Sequence, residues 1–107
     1  MHVIELPAKF YDDHCDRMSD KDPADPAFSD RLIKRKGSLV VVEACTEALD
    51  EIASDADYYA SLRAGIEVER EYFGLIQSAK ATLKRINAYR ASLVKTQPTP
   101  NTSITRP

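Results

Sequence analysis

Glycine is scarce in this chain, which has only Gly37, Gly65 and Gly74 among its 107 residues. Three isolated glycines cannot form a Walker loop or a dinucleotide fingerprint, because both need closely spaced glycines around a phosphate. The sequence also has no Gly-x-Ser-x-Gly elbow and no His-Glu-x-x-His motif. These absences remove common signatures of nucleotide-binding proteins, hydrolases and zinc proteases. We therefore expect a protein that is not an enzyme and that uses no cofactor.

Cysteine and long apolar runs are also scarce. Cys15 and Cys45 are too few for a disulfide scaffold, so reduced thiols in a cytoplasmic protein are the simpler interpretation. The first seven residues, Met-His-Val-Ile-Glu-Leu-Pro, lack the basic and long apolar regions of a secretory signal. The longest apolar run, from Leu39 to Val42, is far too short to cross a membrane. We expect a cytoplasmic protein without membrane contact.

The most informative pattern present is a row of apolar residues at helical spacing near the C-terminus. With no Gly or Pro between Leu75 and Lys95, these residues fall within an arc of about 100° on a helix. The pattern predicts a helix over 66–95, and a similar pattern predicts another over 46–63. Gly65 separates them, so we expect an antiparallel helical hairpin. The apolar row comprises Tyr72, Leu75, Ile76, Ala79, Leu83, Ile86 and Leu93.

The residues after Lys95 have a different composition. They include three prolines, several hydroxyl residues and one large aliphatic residue, too little apolar surface to order a segment. We predict a disordered tail over 96–107 and a single globular domain over 1–95.

The N-terminal third contains what looks like a complete helix signature. Asp25 can cap a helix, Pro26 suits its first position, and three cations are followed by Gly37 just beyond its end. This order predicts a short N-terminal helix before Gly37, in addition to about two helical turns within 10–18.

The segment 39–43 is ambiguous. Its β-branched residues favour a strand, which would pair with the short alternating segment 3–6 in a minor two-stranded element. The alternative is one long helix beginning at Ser38, because helical spacing also continues through this segment. The strand is the favoured interpretation, and the predicted fold class is mainly α, dominated by the C-terminal hairpin.

The segment from Asp12 to Asp16 is the richest in potential ligands, reading Asp-Asp-His-Cys-Asp. A metal site needs several ligands that converge on one point. On a helix, His14 and Cys15 point about 100° apart, so neither a metal site nor a thiol–imidazole pair is expected. We predict a solvated acidic helix start with Cys15 as a buried thiol, and no metal.

Charge is unevenly distributed although the net charge is only -2. Segment 39–62 has acidic residues but no basic ones, whereas 76–94 has basic residues but no acidic ones. The simplest explanation is pairing between an acidic and a basic helix of the hairpin. The alternative is that the last helix binds nucleic acid through phosphate contacts. The residues in question are Lys80, Lys84, Arg85 and Lys95.

Three aromatic residues, Tyr58, Phe73 and Tyr89, lie away from the centre of the predicted apolar rows. Exposed aromatic residues commonly anchor protein interfaces, although the N-terminal third could also cover them. We therefore predict a small non-catalytic protein-interaction module: an adaptor, inhibitor or regulatory subunit, of the kind found among phage and mobile-element accessory proteins. Its expected partner is another protein or a second copy of itself, with nucleic acid as the alternative.

Overall fold

A computed structural model describes residues 1–62 and 72–96, which form three α-helices and one three-stranded antiparallel sheet. A 3-10 turn at Pro26–Phe28 precedes the second strand. In chain order the elements are β1 (His2–Pro7), α1 (Ala8–Arg17), β2 (Arg31–Lys36), β3 (Leu39–Ala44), α2 (Thr46–Ala60) and α3 (Phe73–Thr96).

The sheet has the order β1-β3-β2, so β3 is its central strand. Directly opposed residues share a face of an antiparallel sheet, and Ile4 pairs with Val42 just as Leu6 pairs with Val40. All four are buried on what we name the inner face, against the helices. Val41 belongs to the opposite, outer face.

Helices α2 and α3 run antiparallel. His2 connects the start of α2 with the second half of α3, because its ring nitrogens lie 2.8 Å from the Tyr89 hydroxyl and 3.0 Å from the Thr46 hydroxyl. Arg90 also forms an ion pair with Asp50. Large buried side chains from all three helices complete the core, including Phe10, Ile52, Ile76 and Ile86.

The first turn of α1 depends on α3. Pro7 precedes α1 and offers no side-chain cap, but the Phe10 N–H donates to the Ser78 hydroxyl at 3.0 Å. A backbone donor that α1 cannot satisfy itself is thus satisfied by a distant helix. Lys9 lies beside Gly74 at the same contact.

The mainly α prediction is wrong, because the fold is mixed α/β and its sheet is more than a minor element. Segments 3–6 and 39–43 do pair, but within a three-stranded sheet. The error lies in the short helix predicted before Gly37: a helical turn starts at Pro26 yet ends at Phe28, and residues 31–36 form β2.

The physical reason lies in Gly37 and in β3. Gly37 has a φ of 62°, which suits the tight turn between β2 and β3 as well as it would suit the end of a helix. Val40, Val41 and Val42 are all buried, and β3 is the central strand, with β1 on one side and β2 on the other.

Other predictions fall outside the described residues. These are the hairpin turn at Gly65, the helix start between 66 and 71, and the tail from 97 onward. The single domain over 1–95 stays a prediction.

Candidate functional site

Strand β2 forms an edge of the sheet, and all six of its residues are exposed. On the side away from β3, nothing in residues 1–62 and 72–96 pairs with it. Its outward-directed main-chain donors and acceptors can therefore receive another extended chain. The other edge, β1, differs because α3 packs beside it and Arg85 donates to the Glu5 carbonyl oxygen at 3.5 Å.

A bulge at Ile33 interrupts the pairing of β2 with β3. The register passes from Leu32 opposite Val42 directly to Lys34 opposite Val41, which leaves Ile33 without an opposed residue. Bulges and lysines on an edge strand discourage indiscriminate pairing. The edge is open to another chain but is not a generic aggregation surface.

The outer face of β2 is basic. Arg31 forms an ion pair with Glu43 at 2.6 Å, and Lys36 forms one with Glu5 at 2.5 Å. Lys34 has no ion pair with any residue that the structure describes. Both pairs are well exposed, and exposed ion pairs contribute only about 0–1 kcal/mol to stability. A carboxylate from another chain can therefore compete for these cations.

Arg35 connects β2 to α1 on the inner face. Its guanidinium donates two hydrogen bonds to the Asp12 carboxylate, at 3.1 and 2.9 Å. This bidentate geometry keeps α1 alongside the open edge.

A cleft of about 110 Å³ lies between α1 and the segment that leads into β2. Asp30, in its wall, immediately precedes β2, and its carboxylate accepts a hydrogen bond of 2.5 Å from the Tyr11 hydroxyl. Cys15 is an exposed residue, but neighbouring side chains partly exclude water from its thiol, which raises the thiol pKa and keeps it neutral at physiological pH. The cleft is lined by His14, Cys15, Met18, Phe28 and Asp30.

Behind the cleft, His14 and Arg17 of α1 converge on Asp55 of α2. The His14 Nδ1 lies 2.6 Å from Asp55 Oδ2, and the Arg17 guanidinium donates to Asp55 Oδ1 at 2.7 Å. Burial by itself raises the pKa of Asp55, but the hydrogen bonds from His14 and Arg17 outweigh it and hold that pKa below its usual value. Asp55 is therefore an ionised carboxylate that joins two helices.

Arg17 makes further contacts that order the end of α1. Its Nε donates to Asp13 at 2.7 Å, and its guanidinium carbon lies 4.5 Å from the centre of the Tyr59 ring. Stacking on an aromatic ring stabilises a guanidinium that has lost part of its hydration.

The His14–Asp55 pair resembles the base and orienting acid of an enzyme, but it lacks a nucleophile. No hydroxyl or thiol group within the described ranges donates to the second ring nitrogen of His14, and Cys15 follows it directly on the helix. Its observed contacts are those of a link between α1 and α2.

For segment 12–16 the sequence predicted that Cys15 is the buried side chain, and this prediction is wrong. Cys15 is exposed and His14 is almost fully buried, the reverse of what we expected from an apolar thiol and a polar imidazole. Asp55, 41 positions away from His14, makes this possible by satisfying the imidazole. Across the described residues, no three His, Cys, Asp or Glu side chains are grouped to hold a metal ion.

The three aromatic residues predicted to bind a partner occupy different environments. Tyr58 is 61% exposed and Phe73 is 39% exposed. Tyr89 is half-buried, and its hydroxyl is hydrogen-bonded to His2. Tyr58 and Phe73 stay candidates for partner contact, whereas Tyr89 already has a structural role.

The residues predicted for nucleic-acid binding do not form one continuous set of unpaired cations. Lys80 and Lys84 are exposed on α3 and have no ion pair among described side chains. Arg85 instead faces the sheet edge, 3.9 Å from the Glu5 carboxylate. The Lys95 side chain lies outside the described residues.

The open edge of β2 was missed because 31–36 was interpreted as the end of a helix. The run from Leu39 to Val42 carried a usable signal: four consecutive apolar residues are typical of a strand buried on both faces. Such burial favours a central strand with a second neighbour besides β1, and residues 31–36 are the nearest extended candidate.

Searches for similar proteins found no matching family model, curated protein or solved structure. Among the described helices, none is both long enough and apolar enough to cross a membrane.

Proposed function

We propose that this chain is a small non-catalytic protein-interaction module that binds an extended, acidic segment of a partner protein along β2. The observation that carries the proposal is the open edge: all six residues of β2 are exposed, and the main-chain groups directed away from β3 pair with no described residue. An added strand would gain affinity from main-chain hydrogen bonds, and side-chain contacts would supply selectivity.

Charge identifies the class of partner. On the outer face, Arg31, Lys34 and Lys36 outnumber the two carboxylates they meet, Glu5 and Glu43. Opposed charges across neighbouring strands are favourable, and like charges are unfavourable. A segment with acidic residues at alternate positions fits this surface.

The same charges argue against pairing of β2 with β2 of a second copy. Such a contact would bring two sets of four cations together, because the strand reads Arg-Leu-Ile-Lys-Arg-Lys. The partner at this edge is therefore a different segment, and the module would act as an adaptor, inhibitor or regulatory subunit. A cytoplasmic location agrees with its two unpaired cysteines.

The direct test uses a labelled peptide in which glutamate alternates with valine, and measures its binding by fluorescence anisotropy. We expect saturable binding, and none for the matched peptide with lysine in place of glutamate. Lys34→Glu should weaken binding about tenfold, which equals about 1.4 kcal/mol. Lys80→Glu on α3 makes the same charge change away from the edge and should leave the affinity unchanged.

A second pair of variants tests whether binding depends on the main chain of β2. Ile33→Pro removes a main-chain donor from β2 and restricts its backbone at a residue with no opposed partner in β3, whereas Ile33→Ala removes only the side chain. With melting temperatures confirming that both fold, the proline variant should lose binding while the alanine variant retains most of it. Equal binding of acidic and basic peptides, or equal loss in Lys34→Glu and Lys80→Glu, would overturn the proposal.

A further inference from the structure

Resting on the proposed function, we infer that the cleft beside β2 belongs to the same binding site and receives one aliphatic side chain of the acidic segment. The proposed function concerns only the strand edge and its charges. The cleft adds a requirement for a particular side chain at one position of the partner.

The geometry follows from strand alternation. Successive side chains of an added strand point to opposite faces, so acidic residues on the outer face alternate with residues directed to the inner face. The cleft lies between α1, whose Phe10 and Tyr11 pack in the core on the inner face, and the segment that ends at Asp30. Since Asp30 adjoins Arg31, a strand along β2 passes the cleft at one end.

The wall of the cleft favours an apolar group over an acidic one. Met18 and Phe28 supply apolar surface, and a methionine adapts to different side-chain shapes. The Asp30 carboxylate would repel an acidic side chain, and its hydrogen bond from Tyr11 already occupies one oxygen. The partner residue that enters the cleft is therefore apolar, whereas the partner residues on the outer face are acidic.

The size of the cleft limits that group. An apolar cavity of about 150 Å³ accepts benzene, and this cleft has about 110 Å³. The side chain of leucine, isoleucine or valine suits that volume. The partner motif is then an alternation of acidic residues with an aliphatic residue at the position beside Asp30.

The test varies one position in the acidic peptide. A series places leucine, alanine or glutamate at each inward-directed position in turn, and binding is measured to the full chain. We expect one position at which leucine binds about tenfold more tightly than alanine and glutamate binds more weakly still. Cys15→Trp, at an exposed position of the cleft wall, should abolish that difference, whereas Lys80→Trp on α3, away from the edge, should preserve it.

A labelling experiment tests the cleft without substituting any residue that lines it. In a Cys45→Ser variant, which keeps a donor for the Pro26 carbonyl oxygen, Cys15 is the sole thiol. Saturating leucine peptide should slow its alkylation by iodoacetamide at least fivefold, and the alanine peptide should protect less. Equal affinity for leucine and alanine at every position, or unchanged alkylation, would overturn the cleft assignment but leave edge binding intact. Failure of all acidic peptides to bind would overturn the proposed function and this inference together.

Discussion

His14 and Asp55 join α1 to α2 through a contact of 2.6 Å between Nδ1 and Oδ2, with side chains that are only 2% and 9% exposed. The same carboxylate receives the Arg17 guanidinium on its other oxygen. One acidic side chain of α2 thus organises the second half of α1, which also forms one wall of the cleft.

Removing the Asp55 carboxylate should destabilise the protein strongly. Asp55→Ala leaves a buried imidazole and a partly buried guanidinium without their shared acceptor, and breaking such a pair costs about 3–5 kcal/mol. Asp57→Ala changes an exposed residue on the same helix and should alter the free energy of unfolding by under about 0.5 kcal/mol. Urea unfolding of both variants measures this difference. Similar midpoints for the two would show that the buried network adds little.

Asp55 also predicts how stability depends on pH. Its pKa is lower in the folded protein than in the unfolded chain, so the folded state holds the proton less tightly. The stabilisation is fully present above the unfolded pKa of about 3.9 and is lost as pH falls through the lower folded pKa. Thermal unfolding between about pH 6 and pH 2 should show this loss, and Asp55→Asn should reduce it. If the stability of the Asp55→Asn variant falls equally steeply with pH, other carboxylates cause the loss.

Helix α3 should be stabilised by its buried side and not by its charges. Ile86 is fully buried, so Ile86→Ala should cost about 2–5 kcal/mol. Lys84 is exposed two positions earlier, and Lys84→Ala should have almost no effect on the free energy of unfolding. Denaturant unfolding of the two variants provides the comparison. A larger cost for Lys84→Ala would contradict the observed orientation of α3.

Two glycines should respond oppositely to alanine. Gly37→Ala should cost about 1 kcal/mol, because a φ of 62° strains a residue with a Cβ even though space is open there. A Cβ at Gly74 would lie 2.9 Å from Lys9 Cε, the end of a flexible side chain that can move away. Gly74→Ala should therefore be neutral or stabilising, by up to about 0.5 kcal/mol, since alanine favours a helix. Calorimetry would detect the difference, and a stabilised Gly37→Ala would contradict the observed turn.

Duplex DNA should not bind near physiological salt. Lys80 and Lys84 are the unpaired cations of the predicted nucleic-acid face among the described side chains, and two phosphate contacts give a log–log salt slope of only about -2. A salt series with wild type and Lys84→Glu tests this. Micromolar DNA binding that Lys84→Glu abolishes, while Tyr58→Ala leaves it intact, would favour the nucleic-acid alternative over protein interaction.

The sequence predicted correctly those helices whose apolar residues recur at helical spacing within the helix itself. The apolar row around Ile76 and Ile86 indicated α3, and the pattern around Leu49 and Ile52 indicated α2. It predicted 31–36 wrongly because the signals there are shared: cations followed by glycine are typical of a helix end and equally compatible with a strand and a tight turn. Which one forms depends on the need of β3 for a second neighbour, a tertiary requirement.

The candidate site was less predictable than the fold. An open edge exists only relative to the strand order, and no local pattern around Lys34 reveals that order. The burial of His14 depends in the same way on Asp55, which belongs to another helix. By contrast, the exposure of Tyr58 agrees with its place outside the apolar row.

The central position of β3 constrains the order in which the fold assembles. β2 and β3 are joined by a tight turn, so this hairpin closes a very short loop and can form within microseconds. β1 pairs only with β3, with α1 and β2 between them in the chain, and it must therefore close a far longer loop. In the chain, β1 and α1 both precede β2 and β3, so β1 is separated from its partner strand by two other elements. Until β3 is formed, Ile4 and Leu6 have no strand to pair with, so β1 joins the sheet after the β2–β3 hairpin and does not start it.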